Sequence, residues 1–169
     1  MVDTNVHEPE AVEDVQEDTQ EGKFLTFALG NEEYGIEIRN VTEIIGIQKI
    51  TDLPDTPHFV KGVINLRGKV IPVIDVRLRF GLEELEYNDR TCIIVVNIRN
   101  MTVGLIVDTV SEVMDISERD VEAPPKVNTT AGARYIQGLG KVGDDVKILL
   151  DTHKLLFGEE LDQLAESLP

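Results

Sequence analysis

Apolar side chains along this chain fall in short runs, each broken by a polar or glycine-containing turn, and only the last stretch has helical spacing. Lys23–Leu29 reads as a strand, and Gly30-Asn31-Glu32 turns it into Tyr34–Ile38, a hairpin. Arg39–Ile47 continues as extended or bent chain with Val41, Ile44, Ile45 and Ile47 as its apolar positions. Asp52–Pro57 is loop, and Asp55-Thr56-Pro57 has the form of a cap for a short helix with proline in its first turn. Lys61–Leu66 and Lys69–Val76 are strands around the turn Arg67-Gly68. Pro72 inside the second of these removes a ladder donor, which predicts an edge or a bulge there. Arg77–Tyr87 holds one short helical turn.

The same succession then recurs. Thr91–Ile98 is a strand, Arg99-Asn100 a turn, Val103–Val110 a strand, and Ser111–Ile116 an extended or bent continuation. Ser117–Asp120 is turn-like, and Ala123-Pro124-Pro125 breaks any regular element. Residues 126–136 read as a mobile loop, and Val146–Leu150 as the last strand. In Thr152–Leu168 the positions Leu155, Leu156, Leu161, Leu164 and Leu168 predict an amphipathic C-terminal helix, weakened in its middle by Gly158.

The recurrence is a duplication. Shifted by 69 residues, Phe24–Ile47 lies on Ile93–Ile116 without a gap, and Asn31, Gly35, Val41, Glu43 and Ile47 meet identical residues. Shifted by 76, Lys61-Gly62-Val63 lies on Gln137-Gly138-Leu139, and Val70, Val73, Ile74 and Asp75 lie on Val146, Leu149, Leu150 and Asp151. Two similar all-β modules related by a pseudo-twofold axis follow, one from about residues 23–88 and one from 89–158, with a groove expected at their joint.

Composition supports strands packed by branched aliphatics: Val and Ile are abundant, aromatic residues make up 5% and Trp is absent. Of the net charge of −16, residues 1–22 carry eight acidic side chains and no Lys or Arg, and residues after Gly158 carry four more, leaving the body near −4. That leader lacks periodic apolar positions and is expected to be disordered, and residues 159–169 to form the helix end and tail. The acidic balance argues against nucleic acid or an anionic membrane as partner. A lone Cys92, no apolar run long enough to span a bilayer and no secretory signal predict a cytoplasmic protein without membrane insertion.

Most motifs that would carry chemistry fail their context. Gly138–Gly143 matches G-x-G-x-x-G, but Asp144 and Asp145 follow where a helix N-terminus would have to meet phosphate, so it reads as a glycine-rich turn between strands. Asp108-Thr109 and Asp151-Thr152 lack the following glycine of an aspartic-protease pair and occupy different places in the repeat. His7, His58 and His153 have no ligand spacing, Cys92 lies in an apolar strand, and none of the three serines sits in G-x-S-x-G. No cofactor is expected. Arg67 stands apart, because its repeat counterpart is Gly143; the duplication does not require an arginine there, which suits a docking anchor.

Taken together, Leu25-Thr26-Phe27, Glu33-Tyr34-Gly35-Ile36, Val41-Thr42-Glu43-Ile44 and the run from Phe59 through Gly62-Val63-Ile64-Asn65-Leu66-Arg67-Gly68 resemble the bacterial chemotaxis coupling protein (CheW) family. Val70–Asp75, Val103–Asp108 and Tyr135–Gly140 carry the resemblance on, so that it covers about residues 23–158. It implies two five-stranded SH3-like β-barrels on a shared core, with strands free to cross between the repeats. It also implies a non-enzymatic adaptor, monomeric when free, that bridges the cytoplasmic tip of methyl-accepting chemoreceptors to the regulatory domain of the histidine kinase CheA. On this resemblance Arg67, with Ile38, Val41, Glu43, Gly62, Gly104 and Val113, belongs to or borders the receptor groove. An apolar kinase face of the first barrel falls on Ile44, Ile47 and Ile50. The alternatives are a carboxylate-dependent hydrolase using Asp75 and Asp151, and the docking module of a larger signalling protein.

Overall fold

The computed structural model describes residues 20–124 and 133–156. Strands dominate: β1 (Lys23–Leu29), β2 (Glu32–Glu37), β3 (Val41–Gly46), β4 (Val60–Leu66), β5 (Lys69–Asp75), β6 (Cys92–Ile98), β7 (Met101–Val107), β8 (Thr109–Asp115), β9 (Val121–Glu122), β10 (Ile136–Val142) and β11 (Asp145–Leu150). Two short helices follow the last strand of each half, α1 (Val76–Arg79) after β5 and α2 (Thr152–Leu156) after β11. The all-β expectation holds. The helix at Asp55–Pro57 does not form; Asp55 sits at φ 57°, outside helical geometry. The expected leader up to residue 19, the loop over 125–132 and the helix beyond Leu156 lie outside the described residues.

The two halves exchange strands. One sheet runs β8-β1-β2-β11-β10-β9 and the other β3-β6-β7-β5-β4. The first hairpin of each half therefore joins the remaining strands of the other half. We call the body built on the first sheet the terminal barrel and that on the second the central barrel. The central barrel closes where the chain after β3 pairs with β4, through Thr51 N–H to Val63 O (2.8 Å) and Val63 N–H to Thr51 O (2.9 Å). The terminal barrel closes where β9, continuing from β8, pairs with β10.

The pseudo-twofold extends to single hydrogen bonds. β5 runs parallel to β7 with Val73 opposite Gly104, and β11 runs parallel to β2 with the repeat-equivalent Leu149 opposite Gly35. Asp75 N–H donates to Phe59 O and the equivalent Asp151 N–H to Tyr135 O, both at 2.8 Å. Asp75 Oδ1 caps α1 at Leu78 N, and Asp151 Oδ1 accepts from the equivalent Lys154 N. The two carboxylates offered for hydrolysis are thus helix caps. Near the axis the guanidinium of Arg79 lies between Phe59 and Tyr135, 4.3 and 4.8 Å from their ring centres.

Three clusters of buried apolar side chains follow from this arrangement. The outward faces of β1, β2, β6 and β7 press together as one shared core containing Leu25, Phe27, Ile36, Ile94, Val96 and Leu105. Each such buried side chain contributes about 1.5–3 kcal/mol over an exposed one, so the seam between the barrels is the main source of stability. Inside the central barrel Ile64, Ile71, Val73, Ile93, Val95 and Ile106 form an aliphatic filling. Inside the terminal barrel, among the described residues, the buried apolar cluster is smaller: Phe24, Ile116 and Leu149.

Candidate functional site

The turn between β4 and β5 is a two-residue hairpin loop, because Leu66 pairs with Lys69. Such loops take left-handed backbone at the first and often both positions, which glycine and asparagine tolerate best. Here Arg67 sits at φ 51° and Gly68 at φ 89°. The equivalent turn between β10 and β11 places Gly143 at φ 60° in the position of Arg67. An L-residue in that region costs roughly 1 kcal/mol relative to its relaxed conformation. Asn65 steadies the loop by accepting Gly68 N–H at 2.7 Å.

Arg67 does not wave freely. It donates two hydrogen bonds to the carboxylate of Glu43 on β3, one of them at 3.0 Å. A bulge decides this meeting. Val41 pairs with Val96 and Glu43 with Val95, so two residues of β3 are spanned by one step of β6. Thr42 marks the irregularity, its hydroxyl donating to Val95 O at 3.1 Å. In a regular strand residues 41 and 43 would share a face. The bulge instead turns Val41 toward the shared core and leaves Glu43 at the rim of the central barrel, within reach of the hairpin. The hydrogen bond from Arg67 lowers the pKa of Glu43, and the same bond raises that of Arg67. With 69% of the arginine side chain exposed, this pair adds little to stability and holds a charge pattern at the surface.

The other expected groove residues divide into three groups. Ile38, in a short 3-10 turn, and Val41 line the edge of the shared core and are partly buried. Val113 is 48% exposed on β8 of the terminal barrel, opposite Leu25. Gly62 and Gly104 are buried, and both serve packing. A Cβ on Gly62 would stand 2.0 Å from Thr51 O, and one on Gly104 would stand 2.7 Å from Ile93 Cγ2 and 2.8 Å from Val73 Cγ1. These glycines permit the barrel closure and the close parallel approach of β5 and β7. Their repeat equivalents, Gly138 and Gly35, answer the same demands.

The residues expected to form a kinase face do not share a face. Ile44 is 43% exposed and pairs with Ile94, which places it on the outer, seam-facing side of β3. Ile47 and Ile50 pack against the filling of the central barrel. Ile44 and Val113 are equivalents under the duplication, as are Val70 and Val146, and all four are exposed. Val70, 64% exposed beside the Arg67 turn, did not stand out in the sequence. Its signal was the alternation with buried Ile71 and Val73 along β5.

Glycine-rich Gly138–Gly143, expected as a turn, is mostly strand β10, with only Gly143 and Asp144 turning. Asp108 is engaged in a two-pronged ion pair with Arg77, Nε to Oδ1 at 2.7 Å and Nη2 to Oδ2 at 2.8 Å, and also accepts Gly30 N–H. Among the described residues no group of three or more His, Cys, Asp or Glu is placed to hold a metal, and no helix is long and apolar enough to cross a membrane.

Comparison with known proteins places these features in context. Residues 23–160 match the family model of the CheW-like domain. The chain is 42% identical to the chemotaxis protein CheW of Klebsiella aerogenes over 148 residues, which cover 86% of this chain and 89% of that protein. It is 40% identical to the chemotaxis protein CheW of Treponema pallidum over 85% of this chain and 86% of that one. The crystal structure of the scaffolding protein TtCheW from Thermoanaerobacter tengcongensis superposes with a TM-score of 0.75 at 40% identity, covering 82% of this chain and 94% of that one.

Proposed function

The chain belongs to the CheW-like domain family of chemotaxis scaffold proteins, and on that premise we propose that it is a non-catalytic cytoplasmic adaptor coupling the tips of methyl-accepting chemoreceptors to the histidine kinase CheA. The observation that carries the receptor half is Arg67. The fold asks for a left-handed residue at that turn and its twin supplies glycine, yet here a long cation is held in strained backbone and aimed at a half-buried carboxylate. A residue retained against local preference, at the surface and beside exposed Val70, suits an interface anchor better than a structural part. Branched aliphatics at the seam edge, Ile38 and Val41, extend this surface in the way a groove for an amphipathic helix requires. For the kinase, exposed Ile44 on the outer face of β3 is the position that remains available.

The test uses the twin's own residue. Arg67→Gly relieves the strained backbone, so we expect the melting temperature to stay within about 3 °C of the parent, since loss of strain offsets the entropy glycine adds to the unfolded chain. Capture of a receptor-tip fragment should fall at least roughly tenfold, as for loss of an anchor arginine, while binding of the kinase regulatory domain is retained. Ile44→Asp should do the reverse. Unchanged receptor capture by Arg67→Gly would remove the assignment, and parallel loss of both partners would reduce it to a folding effect.

A further inference from the structure

The duplication lets each barrel serve as a control for the other. At one end of the central barrel the mouth is plugged by Tyr87, from the segment just before β6. Its ring packs against the cluster holding Val73, Ile93 and Ile106, Lys61 Nζ stands 5.9 Å from the ring centre, and its hydroxyl donates to Asp75 Oδ2 at 2.7 Å. The matching end of the terminal barrel is built from the equivalents: Leu149 for Val73, Phe24 for Ile93, Glu37 for Ile106 and Gln137 for Lys61. Here no plug is present among the described residues, and a cavity of about 610 Å³ opens over a floor of Phe24, Ile116 and Leu149. That is within the usual size range of ligand pockets. The position equivalent to Tyr87, counting back by the same 69, is Asp18 in the acidic leader, so the sequence offers no aromatic there.

The acceptor for the missing phenol has been kept. Asp151, equivalent to Asp75, uses Oδ1 to cap α2 as Asp75 Oδ1 caps α1. Its Oδ2, the counterpart of the oxygen that binds Tyr87, takes no hydrogen bond from the described residues. Charge completes the picture. Four carboxylates, Glu21, Glu37, Asp115 and Glu118, line the cavity. Arg39 pairs with Glu37 and Lys23 with Asp115, which leaves Glu21 and Glu118 without a salt bridge among the described residues.

We propose that this open mouth takes an aromatic side chain, a tyrosine best of all, presented by a partner segment that also carries Lys or Arg. By analogy with Tyr87 the ring would lie over Phe24, Ile116 and Leu149 with its hydroxyl directed to the Asp151 carboxylate, which is not itself a lining residue, and flanking cations would meet Glu21 and Glu118. The acidic leader, with eight Asp or Glu and no Lys or Arg over residues 1–22, has the wrong charge for this mouth. The inference does not depend on the Arg67 assignment, because it concerns the other barrel and a different end of the molecule.

The experiment titrates the full chain, methyl-labelled at Ile, Leu and Val, with the capped peptide Gly-Lys-Tyr-Lys-Gly and follows it by NMR. Saturable shifts are expected at Ile116, Leu149 and Val121, while their twin-barrel counterparts Ile47 and Val73 stay still and report an intact fold. The peptide with alanine in place of tyrosine should bind roughly tenfold more weakly, as for loss of an aromatic anchor. Gln137→Trp, which fills the mouth, should abolish the shifts. Absence of saturable shifts overturns the proposal, and this includes the case in which the chain's own leader or a second copy already holds the mouth. Equal binding of the alanine peptide also overturns it, since charge alone would then account for the attraction.

Discussion

Gly62→Ala tests how the central barrel is closed. Gly62 has φ +143°, where an L-residue is strained by about 1–3 kcal/mol. Its new Cβ would lie 2.0 Å from Thr51 O and 2.7 Å from Thr51 C, and a backbone group cannot swing aside as a side chain can. The segment at Thr51 must therefore withdraw, which breaks the two hydrogen bonds it shares with Val63. At about 0.5–1.5 kcal/mol net for each bond, the total is about 2–6 kcal/mol. For a chain of this size that is a fall in Tm of roughly 10 °C. The comparator is Gly46→Ala on β3, where no atom lies within 4 Å of the added methyl group and φ is not positive. That change should leave stability unaltered or raise it by about 0.5 kcal/mol. Both variants would be followed by circular dichroism melts and urea titration. A Gly62→Ala protein melting within about 2 °C of the parent would refute the close-approach explanation.

Gly104→Ala forces Ile93 and Val73 aside inside the filled barrel, and a loss of about 1–3 kcal/mol in urea unfolding is expected, with receptor capture per folded molecule unchanged. Asp108→Asn leaves Arg77, which is mostly buried, without its counter-charge, and about 2 kcal/mol should be lost, discounted for the partial exposure of the carboxylate. Burial pulls the Asp108 pKa up, but the Arg77 and Gly30 hydrogen bonds and the Arg77 charge outweigh it and the net direction is down. Its stabilisation is therefore present above the unfolded aspartate pKa and is lost as pH falls through the folded value. Acid titration of the variant should lack that part of the decline. Tyr87 titrates well above the usual tyrosine range, first because it is buried and then because it is bonded to Asp75. Its contribution is complete below the unfolded pKa and disappears as pH rises through the folded one, so Tyr87→Phe should flatten the alkaline limb of a stability–pH curve.

How much of this was legible in the residues depends on the length scale of the interaction. β1, β4 and β6 fall within a residue or two of their expected limits, because alternation of buried and exposed positions is a local property. Pro72 also behaved as read: the β5–β7 ladder begins only at Val73, so the strand is locally an edge at the proline. β10 was hidden by its glycines, which look like a turn but clear room for Val121 and Ile116. The alignment of Gly138 with Gly62 was the overlooked signal, since Gly62 already lay in an expected strand. The exchange of hairpins between halves is a long-range choice that periodicity does not encode. For the candidate site, the Arg67–Gly143 contrast was legible in the repeat, whereas the partnership with Glu43 depends on a bulge at Thr42 that alternation cannot show. Ile47 and Ile50 are partly buried against the filling of the central barrel, a placement that composition alone does not separate from an exposed apolar patch.

The same comparison of twins explains how a duplicated fold acquires unlike faces without losing its frame. Some positions are held alike in the two halves: Asp75 and Asp151 both cap helices, and the aromatic rings of Phe59 and Tyr135 both flank Arg79, whose own counterpart is Leu155. A change there would disturb both barrels together. Positions at barrel ends have no such coupling. Arg67 stands where the twin has Gly143, Ile71 where it has Lys147, and Ile106 where it has Glu37. Lys147 is stable inside the terminal barrel because its ammonium donates a hydrogen bond to Glu33 Oε1 at 2.7 Å, and that bond raises the lysine pKa despite burial. An ion pair inside one barrel and an aliphatic filling in the other are both tolerated, since the filling forms a cluster separate from the shared core at the seam. Divergence at the ends changes what the surface can recognise at small expense to the shared core. This makes the barrel ends, and not the conserved geometry of the axis, the place where binding specificity in such a duplication is written.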